Sequence, residues 1–269
     1  MIRLTNLSKH FGDLRAVDGL DLEVHQGEFF AFLGPNAAGK TTTIKMMAGL
    51  LKPTSGTVII GGHDMHSEPE KAKSQLAYVP DFPFLYDKLT ACEFMYFVGD
   101  IFRMDKKLVR QRMEELFATF HLDDYYHELT ENLSHGTRQR LVIASALLHD
   151  PKTLVIDEPM VGLDPRHSLI VKRVLRERAN EGMTVFLSTH QLSIAEEMAD
   201  RVAIINAGKL AALGTTVELR AMAHESGGLE QVFLSLVDAE ESARELATKE
   251  AKAGALDPEE RSHLPAEDA

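Results

Sequence analysis

One octapeptide constrains this chain more than any other stretch: Gly34-Pro35-Asn36-Ala37-Ala38-Gly39-Lys40-Thr41. The apolar run Phe29-Phe30-Ala31-Phe32-Leu33 precedes it, and the periodic segment Thr42 to Leu50 follows it. Five consecutive apolar residues that end at glycine and proline read as a strand buried on both faces, which belongs in a parallel sheet. A strand that turns through a glycine-rich loop into a helix gathers backbone N–H groups at the positive end of that helix, where phosphate binds. Gly34, Pro35 and Asn36 at the entry of the loop, with Ala37, Ala38, Gly39, Lys40, Thr41 and Thr42, are the candidate nucleotide-binding residues. Lys40 would reach the β- and γ-phosphates of a nucleoside triphosphate, and the Thr41 hydroxyl would ligate Mg²⁺. Gly39 is expected where a Cβ would crowd the phosphate.

A second apolar run, Thr153-Leu154-Val155-Ile156, ends in Asp157-Glu158-Pro159. An acidic pair at the carboxyl end of a buried parallel strand lies on the crevice where open α/β sheets bind ligands. Asp157 is the candidate that holds Mg²⁺ through its water shell. Glu158 is the candidate general base for an attacking water. Alone, the pair would serve equally well to cap a turn; beside a phosphate loop, the catalytic reading prevails.

Between these motifs lies Leu133-Ser134-His135-Gly136-Thr137-Arg138-Gln139-Arg140, which resembles the signature sequence of ATP-binding cassette (ABC) ATPases. Gly162-Leu163-Asp164-Pro165 resembles the D-loop of that family, and Leu187-Ser188-Thr189-His190 the strand that ends in its switch histidine. Leu7 to Gly12 resembles the segment whose aromatic residue stacks on adenine. Phe11 holds that place, with Val17 grouped with it among the nucleotide contacts. The resemblance runs from about Met1 to Leu236. It implies a P-loop core with a mixed, mainly parallel sheet, a small antiparallel β-subdomain and an inserted α-helical subdomain. It also implies that His190 contacts the γ-phosphate and positions the water activated by Glu158. Two cassettes would pack head to tail, each ATP clamped between Lys40 of one and Ser134 and Gly136 of the other. Ser134 is itself a good N-cap, opening a helix from Thr137 to Leu148 with Leu141, Ala144, Ser145 and Leu148 along one stripe.

Three positions depart from the family pattern. Ala37 places a methyl group where glycine is usual, in a loop that often needs a permissive backbone. His135 and Thr137 replace the usual Gly and Gln of the signature. Asp81, after the strand-like Leu76-Ala77-Tyr78-Val79-Pro80, stands where Gln normally touches Mg²⁺; a carboxylate accepts from a metal-bound water but cannot donate.

The domains expected are a core over 1–89 and 151–237, a helical subdomain over 90–150 and an acidic tail over 238–269. Thr90–Phe102 and Lys106–Phe120 read as helices, the first with an apolar face of Ala91, Phe94, Met95, Phe97 and Val98. Aromatics at Phe82, Phe84, Tyr86, Phe94, Tyr96 and Phe97 would divide between core and a groove for a membrane partner. The tail holds ten acids and four bases, half of the formal net charge of −12. It reads as an exposed helix over Asp238 to Ala253, then disorder. The remainder has no dense basic stripe, which argues against nucleic acid as the principal partner. No apolar run approaches the ~18 residues needed to span a membrane, and the start lacks the pattern of a secretory leader. The single cysteine, Cys92, suits a reducing compartment. His63-Asp64-Met65-His66 has metal-ligand spacing, but a solvated loop is favoured.

These features are most similar to the ATPase subunit of an export-type ABC transporter. Such a subunit hydrolyses ATP to ADP and phosphate with Mg²⁺ and lies peripherally on the cytoplasmic face of the cell membrane. It would drive a separate permease as a homodimer or with a paired cassette. The alternative is a non-transport ABC ATPase acting on ribosomes or DNA, although ribosomal members carry two cassettes per chain and only one phosphate loop is present here.

Overall fold

The computed structural model describes residues 1–222 and 229–235. Strands β1 (Ile2–Phe11), β2 (Leu14–Val24), β4 (Ser55–Ile60) and β5 (His63–Asp64) form an antiparallel sheet in the order β2-β1-β4-β5. Along the start of β1, Ile2 and Leu4 are buried while Arg3 and Thr5 are exposed, the two-residue alternation of a sheet with one wet face.

The second sheet has six strands. β3 (Phe29–Leu33), β7 (Thr153–Asp157) and β8 (Thr184–Thr189) are buried at every residue. With β6 (Leu76–Val79), β9 (Arg201–Asn206) and β10 (Lys209–Gly214), the order is β10-β9-β3-β8-β7-β6. Every pairing is parallel except the β9–β10 hairpin. Both faces of the three central strands need cover. One face is covered by α1 (Lys40–Met47) and the antiparallel sheet, and there Phe186 packs between Phe30 and Phe32 with centroids 5.6 and 5.2 Å away. The other lies under α3 (Ala91–Ile101), α4 (Lys106–Phe120), α5 (His135–Leu147) and α6 (Pro165–Asn180).

The helical insert shares one continuous apolar cluster with Leu154, Ile156, Val185 and Leu187 of the sheet, so it is a layer of the core and not a separately cored unit. Its helices begin where their caps dictate. Thr90 is outside α3, accepting from the Glu93 backbone N–H in a capping box. Asp105 caps α4, and Ser134 caps α5 by accepting from Thr137, so the signature helix starts two residues before the expected Thr137. The expected single stripe on α5 is too narrow: Leu141, Val142, Ile143, Ala144 and Ser145 are all buried, because α5 lies between β6 and helices α3 and α4.

Toward the end, residues 229–235 are helical, with Leu229 and Val232 buried against a cluster that includes Ala31, Leu33 and Ile204. The acidic segment from Asp238 lies outside the described residues. No helix among the described residues is long and apolar enough to cross a membrane. His66 belongs to the turn after β5, where the Asp64 carboxylate accepts from the His66 and Ser67 backbone N–H groups, and His63, within β5, faces Glu68.

Candidate active site

Strand order assembles the site. β8 runs between β3 and β7, so at their carboxyl ends the loop at Gly34, the His190 turn and the Asp157-Glu158 pair emerge side by side. They border a cleft of about 640 Å³, to which Asn36, Ala37, Ala38, Gly39, Lys40, Thr41 and Thr42 all contribute.

The loop is held in a conformation few residues adopt. Gly39 has φ +105°, and a Cβ there would stand 2.5 Å from the Ala16 carbonyl oxygen. The β1–β2 hairpin, more than a bound phosphate, therefore demands glycine at this position. Ala37 has φ +62°, the left-handed region that an L-residue with a Cβ occupies at a cost of about 1–2 kcal/mol. Lys40 is 7% exposed, and its ammonium donates to the carbonyls of Gly34 (2.7 Å) and Pro35 (3.0 Å). Burial pushes its pKa below the usual lysine range, opposed by the Glu158 and Asp157 carboxylates. The entry residues Gly34 and Pro35 thus serve as holders of Lys40 and do not line the cleft themselves.

Thr41 Oγ1 donates to Asp157 Oδ2 at 3.0 Å, while Asp157 Oδ1 is buried without a partner. Burial raises the Asp157 pKa above the carboxylate range, and the nearby Asp81 and Glu158 carboxylates add to the effect. An orphan carboxylate oxygen beside a hydroxyl offers the hard oxygen ligands that Mg²⁺ takes, so the residues present fit the ion. Asp81 lines the same cleft and accepts from the Phe82 backbone N–H. Among the described residues no three His, Cys, Asp or Glu side chains are placed to hold a metal alone. Phosphate oxygens would have to complete the shell.

Glu158 stands at φ +48°, the kind of backbone strain that collects at functional sites. Its Oε1 lies 2.7 Å from His190 Nδ1, and its Oε2 accepts from Thr189 Oγ1 at 3.3 Å. The carboxylate is thereby aimed along the cleft floor, while His190 remains half exposed above it.

At the far end Phe11 lines the cleft and is 49% exposed, with Lys9 Nζ over its ring 5.2 Å from the centroid. Val17 does not reach this wall. Its side chain is fully buried in the cluster with Leu20 and Phe30, and the preceding Ala16 lines the cleft instead, because side chains alternate along β2. Leu14, Arg15, Val161 and Ala207 also line the cleft without being anticipated. Ser134 and Gly136 are not brought to it. Ser134 is exposed at the start of α5, its hydroxyl 2.8 Å from that of Thr137.

The sequence profile of the ABC transporter family matches residues 17–161. The chain is 38% identical over 242 residues to the daunorubicin/doxorubicin resistance ATP-binding protein DrrA of Streptomyces peucetius, spanning 90% of this chain and 72% of that one. It is 37% identical over 212 residues to the SkfA peptide export ATP-binding protein SkfE of Bacillus subtilis, spanning 78% and 87%. Among solved structures it resembles an ATP-binding subunit of an ABC transporter, with TM-score 0.83 and 30% identity over 88% of this chain and 99% of the other. It also resembles a dimeric ATP-binding cassette in a post-hydrolysis state bound to ADP and Pi, with TM-score 0.74 and 26% identity over 80% and 98%. The chain belongs to the ABC transporter family, as an ATP-binding subunit that hydrolyses ATP.

Proposed function

We propose that two copies of this chain, or one copy and a paired cassette, close head to tail over two ATP molecules and drive an export permease from the cytoplasmic face of the membrane. The carrying observation is the separation within one chain of two phosphate-facing sets. Lys40, Asp157 and Glu158 share a cleft that is open on one side, and Ser134 and Gly136 stand away from it at an exposed helix start. A helix N-terminus with no phosphate of its own is completed by a neighbour's. Export is named for the SkfE relative and drug resistance for the DrrA relative, and both suit an outward direction.

In this reading Phe11 stacks on the adenine. Lys40 exchanges the carbonyls of Gly34 and Pro35 for the β- and γ-phosphates. Thr41 would hold Mg²⁺ directly, with Asp157 and Asp81 reaching it through water; when bound, the ion neutralises charge on the phosphate oxygens. Glu158 accepts the proton of the attacking water, and His190 holds the carboxylate and the γ-phosphate in register.

One surface groove supports the docking of a permease. A groove of about 680 Å³ runs between core and helical layer, with Leu50 and Ile101 on its walls 64% and 60% exposed and Lys73 and Arg103 at its rim. An amphipathic segment of a membrane partner would fit there.

Glu158→Gln tests the assignment. The variant should retain ATP binding, lose at least about a hundredfold in phosphate release, and run as a dimer in ATP by size exclusion with light scattering. Hydrolysis at the wild-type rate would remove Glu158 from its role, and a monomeric mass in saturating ATP would remove the head-to-tail clamp.

A further inference from the structure

We infer that His135, the unusual residue of the signature, is a positioning residue that fastens the signature to the turn carrying Glu158. The inference rests on the ATPase reading above, and what it adds is specific to this side chain. His135 is the first residue of α5, directly after Ser134, and is exposed to solvent at the helix start. Its imidazole leans on the turn after β7. It lies over the Cα of Gly162, so closely that a Cβ on Gly162 would come within 2.6 Å of Nε2 and closer still to Cδ2. Gly162 has φ +78°, a left-handed conformation that favours glycine. The neighbouring Gly136 makes the same approach: a Cβ on it would stand 3.2 Å from the Gly162 carbonyl oxygen. On its other side His135 meets Phe82, with ring centroids 6.1 Å apart at 50°.

Gly162 is only four residues from Glu158, and the turn between them is stiff. The Val161 N–H donates to the Glu158 carbonyl at 3.2 Å, the Leu163 N–H donates to the Met160 carbonyl at 3.3 Å, and both Glu158 and Gly162 are in the left-handed region. In this proposal a displacement of the ring passes along the turn to the Glu158 carboxylate. Phe82 adjoins Asp81, whose carboxylate accepts from the Phe82 backbone N–H. One imidazole thus touches the turn after β7, the loop after β6 and the start of α5. With glycine at position 135, as the family usually has, these three loops would lack the common contact. Ser134 would serve the partner's nucleotide while Glu158 serves its own, so the same ring joins the two sites of the dimer.

The test is steady-state ATP hydrolysis by the full chain, alongside binding of a fluorescent ATP analogue, for wild type, His135→Gly and His135→Phe. A misplaced catalytic group lowers turnover without altering ground-state binding. His135→Gly should therefore lose about tenfold in kcat with the nucleotide Kd within about twofold of wild type. His135→Phe, which keeps a ring over Gly162, should recover most of that loss. Wild-type kcat in His135→Gly would overturn the proposal. So would a loss in His135→Phe as large as in His135→Gly, because the imidazole would then act by its chemistry and not by packing. Neither result would touch the ATPase reading, which falls only if Glu158→Gln hydrolyses ATP like wild type.

Discussion

Lowering the pH should destabilise this protein through one histidine that native packing keeps neutral. His149 follows α5, and its ring stacks on Phe102 with centroids 3.6 Å apart and planes 7° from parallel. Both ring nitrogens are buried without a hydrogen-bond partner. Burial, opposed by the Leu76 backbone and the Asp150 carboxylate and reinforced by the Arg112 guanidinium, pushes its pKa from 6.5 down to about 4. Above pH 6.5 the ring is neutral in both folded and unfolded chains, and its contribution is intact. As pH falls below 6.5 the unfolded chain takes up the proton first, so stability drains away until the folded ring also protonates near pH 4. The difference between those two titrations amounts to about 2 kcal/mol at pH 5 and about 3 kcal/mol at its limit. His149→Phe keeps the stack and removes the titration. Urea unfolding followed by circular dichroism at pH 7.5 and pH 5.0 should show wild type losing about 2 kcal/mol more than the variant. Other histidines titrate in both proteins and cancel in the comparison. Equal losses within about 0.5 kcal/mol would refute the reasoning, since the ring would then be accepting its proton in the folded state.

Lys40→Ala removes charge-assisted hydrogen bonds to phosphate worth about 2 kcal/mol, so the Kd for ATP should rise about thirtyfold in a fluorescent-nucleotide titration; a change below about threefold would remove Lys40 from the phosphate site. Ala37→Gly should relieve about 1–2 kcal/mol of left-handed strain against about 0.5–1 kcal/mol of added chain entropy, giving a small rise in melting temperature; a fall would mean that the Ala37 methyl packs favourably. Arg140→Met keeps volume but strips the donors that the 4%-exposed guanidinium gives to the Phe120 and His121 carbonyls at the end of α4. Two carbonyls left bare should cost about 3 kcal/mol by chemical denaturation, and a loss below about 1 kcal/mol would show that water replaces them.

The strands that build the site were legible because total burial leaves an unmixed apolar run: Phe29 to Leu33 and Leu154 to Ile156 allow no other comfortable placement. The residues that finish the cleft were not, since they arrive from parts of the chain joined only in three dimensions. Ala16 and Ala207 reach the phosphate loop because the Asp18 N–H donates to the Gly208 carbonyl and the Gly208 N–H donates to the Ala38 carbonyl, a bridge across about 190 positions with no local signal. Val17 was assigned to the nucleotide wall one residue away from Ala16, and in a strand one residue is the difference between two faces. On α5 the expected stripe underestimated burial because nothing in its own sequence states that β6 lies behind it. The exposed aromatics were likewise divisible only in part: Phe94 is buried, whereas Phe84 is 74% exposed and Tyr86 packs edge-on against Phe97 at 4.9 Å.

The departures from the family pattern raise the question of whether this cassette has kept its chemistry, and the geometry answers it position by position. Ala37 adopts the left-handed turn that glycine would, so the loop retains its shape and still brings Lys40 back over its own carbonyls. Asp81 adds a third carboxylate to Asp157 and Glu158, and positive charge in the cleft would relieve the repulsion that adds to burial in raising the Asp157 pKa. Nothing in that change reaches the Glu158–His190 contact at 2.7 Å. His135 replaces a residue without a side chain by one that rests on the turn leading from Glu158. In the proposed mechanism the three changes act on the entry of the cation, the strain of the loop and the linkage between loops, while the Glu158 carboxylate proposed as proton acceptor keeps its contacts to His190 and Thr189.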